Sequence, residues 1–141
     1  MSRYGRTDSE WEELVHTGRN FLVERAKLSK LTSYTELNAT LARRTSCRPF
    51  DFERADERAA MGHLLGLIVE RDQQIAPSAP PVMLSALATY LGANDAGPGF
   101  YQLAKELQLL PVSASADEKF GFWVKQVKRL YERHAADPAS A

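Results

Sequence analysis

Arg43, Arg44, Arg48, Arg54 and Arg58 crowd one short stretch of this 141-residue chain. Cations at that density are what a nucleic-acid phosphate backbone would meet, and phosphate contacts are what set a protein's register on a duplex. Asp51, Glu53, Asp56 and Glu57 are interleaved with them. The competing reading is therefore a solvated loop whose charges cancel locally. Cys47, the single cysteine, sits between Arg44 and Arg48. Neighbouring cations would lower its thiol pKa, yet nucleophilic chemistry also needs a base, and no histidine lies near it in sequence. His16, His63 and His134 fall on three separate expected helices, and no two of them have the i, i+4 spacing of a helical metal pair. Gly97 and Gly99 flank Pro98 where a helix should open. Free backbone N–H groups at such a start can hold an anion, and glycines there can equally serve a turn that needs positive φ. The segment matches neither a Walker A sequence nor a dinucleotide fingerprint, so no cofactor is expected. Lys125, Lys128, Arg129 and Arg133 give a second basic helix face. No pair of carboxylates is placed by spacing alone as acid and base.

The elements that must position these residues follow from periodicity. Ser9 with Glu12, Ser33 with Glu36 and Ser115 with Glu118 each match a capping box at a helix start. Trp11, Leu14, Val15, Gly18 and Leu22 mark one face of a first helix running to about Lys27. Tyr34, Leu37 and Leu41 mark a short second helix ending near Arg43. Arg43 to Phe52 reads as a loop, since the residue before Pro49 is biased toward extended backbone. A third helix spans about Glu53 to Asp72 on the stripe Met61, Leu64, Leu65 and Ile68. Ala76 to Pro81, with three prolines, is a stiff connector. Met83 to Leu91 has the length and apolarity of a buried strand. A glycine turn from Gly92 to Gly99 leads to a helix with Phe100, Leu103, Ala104 and Leu107 on one face. The last helix carries Phe120, Trp123, Val124, Val127 and Tyr131. Residues 1–8 and 135–141 are expected to be disordered. The fold class is mostly α with a minor β-sheet, in a single domain spanning 1–141.

Bulk composition narrows the classes further. Eighteen basic and eighteen acidic residues cancel, which argues against sequence-blind polyanion binding while leaving room for a local basic face. A lone cysteine cannot form an intrachain disulfide, and the polar N-terminal stretch lacks the apolar core of a signal peptide. No apolar run approaches the roughly 18 residues of a spanning helix. The expectation is a cytoplasmic protein with no membrane partner.

In the middle of the chain, TSYTEL, a helix with AAMGHLLGLI, an apolar segment and GANDAGPGF follow in order. This succession resembles the DNA-binding part of the alkyltransferase-like proteins and methylguanine-DNA methyltransferases. Thr32, Tyr34, Glu36 and Leu37 match the family's Tyr-Gly-Glu element; Ala60, Gly62 and Leu65 match its recognition helix; Gly99 and Phe100 match the end of its glycine turn. The resemblance spans 32–110 and implies a winged helix-turn-helix core with added N- and C-terminal helices. The family's Pro-Cys-His-Arg motif is missing: the segment reads LSALATYL, so alkyl transfer to a thiolate is not implied. The family's base-displacing arginine falls on Ala59, and Arg58 is one residue away, a turn of about 100° on a helix.

Together these features lead to a non-enzymatic DNA-binding or DNA-associated regulator, contacting DNA through Tyr34, Arg43, Arg44, Arg48, Arg54 and Arg58, with Gly97 and Gly99 as a weaker anion site. On this reading Arg44 at the loop edge meets phosphate and Arg58 on the helix meets a base edge. The alternative is a protein-interaction or accessory module that binds no nucleic acid, which suits the zero net charge. An enzyme built on Cys47 is the third class.

Overall fold

A computed structural model describes residues 2–90 and 95–135, and the architecture is mostly helical with minimal sheet. Among the described residues five α-helices appear in order: α1 Asp8–Lys27, α2 Tyr34–Arg44, α3 Ala55–Ile75, α4 Pro98–Glu106 and α5 Ala116–Ala135. Strands β1 Ser2–Arg3 and β2 Arg6–Thr7 form an antiparallel hairpin. Strands β3 Thr32–Ser33 and β4 Ala88–Thr89 pair in parallel, Thr32 opposite Ala88 and Ser33 opposite Thr89. Met1, Leu91, residues 92–94 and residues 136–141 lie outside the described residues, and with them most of the expected tail, the end of the expected strand and the first part of the glycine turn.

The N-terminus departs from expectation. Residues 2–7 were expected to fray, but they form the hairpin, and Arg6 is wholly buried. Its guanidinium donates to both carboxylate oxygens of Glu57, at 2.7 and 3.1 Å, and lies 4.0 Å from the centre of the Phe50 ring. With Arg6 pinned, Thr7 is the last extended residue, and the first helix is capped two residues earlier than Ser9. The Thr7 hydroxyl accepts from Glu10 N–H and the Glu10 carboxylate accepts from Thr7 N–H. The other two expected starts are in place: Ser33 accepts from Glu36 N–H, and Ser115 and Glu118 form a reciprocal box.

Helix α1 buries Trp11, Leu14, Val15, Gly18, Phe21, Leu22 and Ala26 against α2, α3 and α5. At Gly18 the crossing with α3 is close: a Cβ there would lie 2.7 Å from Ile68 Cδ1. Helix α3 runs to Ile75, three residues past the expected end. Asp72 is buried in its last turns, where Arg19 donates to it at 3.0 Å and Arg133 lies 3.6 Å away.

The expected strand Met83–Leu91 is largely a different structure. Leu84–Leu87 form a 3-10 turn, and β4 keeps just Ala88 and Thr89. Every residue from Val82 to Thr89 is buried, and a short apolar run of this kind has no polar alternation to distinguish strand from turn. What decides is the partner of the backbone. Helix α5 satisfies it with side chains: Trp123 Nε1 donates to Ala86 O (2.8 Å) and Gln126 Oε1 accepts from Met83 N (2.6 Å). Arg129 donates to Pro80 O (2.8 Å) and Arg133 to Ala76 O (2.6 Å). The face of α5 turned inward is therefore Trp123, Gln126, Leu130 and His134. Phe120 and Val124, expected on the inner stripe, are exposed.

Candidate functional site

The structure gathers some of the sequence-selected residues and disperses the rest. Tyr34, at the start of α2, is set in place by the β3–β4 pairing that precedes it. It meets Tyr90 edge-on, with ring centres 5.0 Å apart. Burial pushes the Tyr34 hydroxyl up to about 12, so it stays protonated near neutral pH and is a hydrogen-bond donor rather than a base. Gly97 approaches both rings: a Cβ there would lie 2.9 Å from Tyr90 Cε2 and 3.0 Å from Tyr34 Oη. Its φ is −78°, so space, not left-handed backbone, is the reason for glycine at this position.

Tyr34, Tyr90, Gly99 and Arg58 line one groove of about 740 Å³, formed between α2, α3, the 3-10 turn and α4. Its walls are mostly apolar and aromatic: Phe52, Met61, Leu65, Phe100 and Leu103. Arg58 sits in the first turns of α3, with Nη1 donating to Phe52 O at 2.7 Å. Among the described residues no carboxylate pairs with it. Ser85, from the 3-10 turn, also lines the groove; it is 4% exposed, and its Oγ has no hydrogen-bond partner. Glu106 lies on the α4 wall, 3.3 Å from Gln102 Nε2.

The other arginines are engaged elsewhere. Arg44 forms a two-pronged pair with Glu24 at 2.7 and 3.2 Å and lies over the Phe21 ring. Arg48 donates to Glu57 at 2.8 Å and to Tyr4 O at 3.2 Å. Arg54 pairs with Asp56 at 2.6 Å. Arg43 donates to the Thr40 hydroxyl at 3.2 Å and keeps an exposed side chain. Glu57, which the sequence reading counted among the solvated loop carboxylates, is the buried hub of this region. The Arg6 guanidinium, with help from Arg48 and the Asp51 N–H, holds its carboxyl at about 2 despite desolvation.

The anion reading of Gly97 and Gly99 meets an acidic neighbour. Asp95 accepts from Ala96 N–H at 2.7 Å and from the Tyr101 hydroxyl, and this places a carboxylate in the turn that opens α4. Cys47 is buried, with Sγ 3.7 Å from Glu10 O and 3.8 Å from Glu13 Oε2. Burial pushes its thiol pKa up, the reverse of the effect expected from the flanking arginines, whose side chains are directed to Glu24 and Glu57. The histidines stand apart: His16 pairs with Asn20, His63 packs against Tyr4 and Trp11, and His134 is buried on the inner face of α5. The basic face of α5 is divided, since Arg129 and Arg133 grip the connector while Lys128 lies 4.0 Å from Glu132.

Sequence reasoning missed Ser85 and Phe52 as groove residues and took Met61 and Leu65 as core alone. The available signal was Ser85 itself, a polar residue within an otherwise apolar run. No helix among the described residues is long and apolar enough to cross a membrane. No family model, curated protein or solved structure matches the chain.

Proposed function

We propose that the chain is a non-enzymatic DNA-binding protein whose contact face is the rim of the groove. The observation that carries this reading is the convergence of Tyr34, Arg58 and Gly99, chosen separately from sequence, around a single aromatic-lined depression. Arg58 on the groove and Arg43, outside its lining near the end of α2, have no carboxylate partner among the described residues and supply the cations. Tyr90, whose exposed ring lines the same groove as Arg58, is suited to an unstacked base as well as to backbone. Arg44, Arg48 and Arg54 are neutralised within the fold and drop out of the contact set. The affinity is accordingly modest, and with two cations its salt dependence is shallow, a slope of log K against log salt of about −2.

Fluorescence anisotropy with duplex and single-stranded oligonucleotides at about 50 mM salt, where screening is weak, tests this. Arg58→Ala weakens binding, whereas Arg44→Ala leaves it within about twofold, since removing a surface ion pair perturbs little. Absence of binding by the wild-type chain at that salt overturns the reading. A second reading, a protein-interaction module, is favoured by a specific feature. Phe120 and Val124, four residues apart on α5, are 45% and 43% exposed and form an apolar strip, Phe120 also meeting the Trp123 ring with centres 5.8 Å apart.

A further inference from the structure

We infer that the groove between α2, α3, the 3-10 turn and α4 is a binding site for a small planar aromatic carboxylate. Three observations carry this. The volume of about 740 Å³ lies within the roughly 300–1,000 Å³ typical of small-molecule sites. The walls are mostly apolar, with rings from Tyr34, Phe52, Tyr90 and Phe100 and aliphatic side chains from Met61, Leu65 and Leu103. Such a lining selects a flat hydrophobic body, because aromatic pairs gain from edge-on or offset contact beyond simple burial.

The polar groups are few and point to the rest of the ligand. Ser85 Oγ is buried and unpartnered in the free protein, a state that costs free energy until a ligand group meets it. Arg58 has donors left over from its bond to the Phe52 carbonyl, and its planar guanidinium suits a carboxylate. Glu106, on the α4 wall, repels an acid there and so orients the carboxylate toward Arg58. The ligand thus has an aromatic body over the tyrosines, one hydrogen-bonding edge at Ser85 and its charge at Arg58.

The test is titration of 6-hydroxy-2-naphthoate and its neutral amide, 6-hydroxy-2-naphthamide, whose ring hydroxyl supplies the edge for Ser85, into the full chain, followed by ligand-observed NMR. Wild type binds naphthoate saturably and about tenfold more tightly than the amide, the usual advantage of a charge-assisted hydrogen bond over a neutral one. Arg58→Gln erases that preference. Ser85→Ala weakens both ligands severalfold while leaving the unfolding midpoint unchanged or higher, since it removes an unsatisfied buried hydroxyl. No saturable naphthoate binding by a chain with native circular dichroism overturns the inference. So does an undiminished preference in Arg58→Gln, or undiminished affinity in Ser85→Ala. No DNA is present in this titration, so its failure leaves the nucleic-acid proposal standing, and the oligonucleotide assay fails or succeeds independently of it.

Discussion

Replacing Glu57 by glutamine leaves the Arg6 guanidinium buried without a counter-charge. The carboxylate of Glu57 takes two hydrogen bonds from Arg6 and one from Arg48, and the side chains of both Arg6 and Glu57 are shut off from water. Removing one partner of such a pair typically costs about 3–5 kcal/mol, against a total stability of about 5–15 kcal/mol for a domain. For a chain of this size that is a fall of roughly 10 °C or more in the unfolding midpoint. The assay is thermal and urea unfolding followed by circular dichroism, with Arg6→Met/Glu57→Leu as the control. The double variant should recover most of the loss, because an apolar pair of similar volume is often no worse than a buried ion pair. The pH dependence provides an independent check. Glu57 titrates at about 2 in the fold against an ordinary 4.5, so its contribution is present above about pH 4.5 and is lost as pH falls toward 2. Glu57→Gln lacks that acid-side loss. A variant within about 1 kcal/mol of wild type at neutral pH, or a double variant as unstable as the single, refutes this account; 1 kcal/mol is the scale of an ordinary surface pair.

Three further outcomes are expected. Cys47, buried and with a raised pKa, resists a thiol reagent in the native state and reacts promptly in denaturant, as followed by absorbance of the released chromophore. Gly66→Ala raises stability by about 0.5–1 kcal/mol in urea unfolding, because the residue lies inside α3 and an added Cβ meets nothing within 4 Å. Gly18→Ala lowers it in the same assay: the same helical gain is outweighed by about 1–3 kcal/mol of overpacking against the buried Ile68.

The helices were legible because their signals are local. The 3.6-residue stripes of α1 and α3, the cap at Ser33 and the box at Ser115 require no knowledge of tertiary neighbours, although Glu36 turns its carboxylate to the Thr32 hydroxyl instead of closing the box at Ser33. The segment Met83–Thr89 was misread because apolarity records burial and not backbone shape, and the groups that settle its shape, Trp123 and Gln126, lie some forty residues away. The buried role of Arg6 was hidden for the same reason: an arginine near an N-terminus looks solvated until a carboxylate 51 positions later closes on it. Among the candidate site residues, Tyr34, Arg58 and Gly99 were found by motif and charge and proved to share a groove. Arg44, Arg48 and Arg54 were found by the same charge signal, but composition cannot tell a free cation from one held by Glu24, Glu57 or Asp56. The α5 stripe failed at Phe120 and Val124 because the helix turns its polar Gln126 inward to meet backbone and leaves those apolar residues outside.

The four bonds from α5 act as a ruler. Trp123, Gln126, Arg129 and Arg133 meet Ala86, Met83, Pro80 and Ala76 in antiparallel order, so ten residues of helix are matched against ten of connector. At 1.5 Å per residue the helix covers about 15 Å, less than half of what ten extended residues would span, and so the connector cannot be extended throughout; the 3-10 turn at Leu84–Leu87 takes up part of the difference. Each bond on the connector side uses a main-chain atom. The grip on the helix is therefore indifferent to the side chains of the connector, although burial constrains those from Val82 to Ala86, whereas a single insertion or deletion on either side puts every later rung out of step. Length, in addition to the mostly apolar character of Val82 to Ala86, is what this part of the chain has to keep.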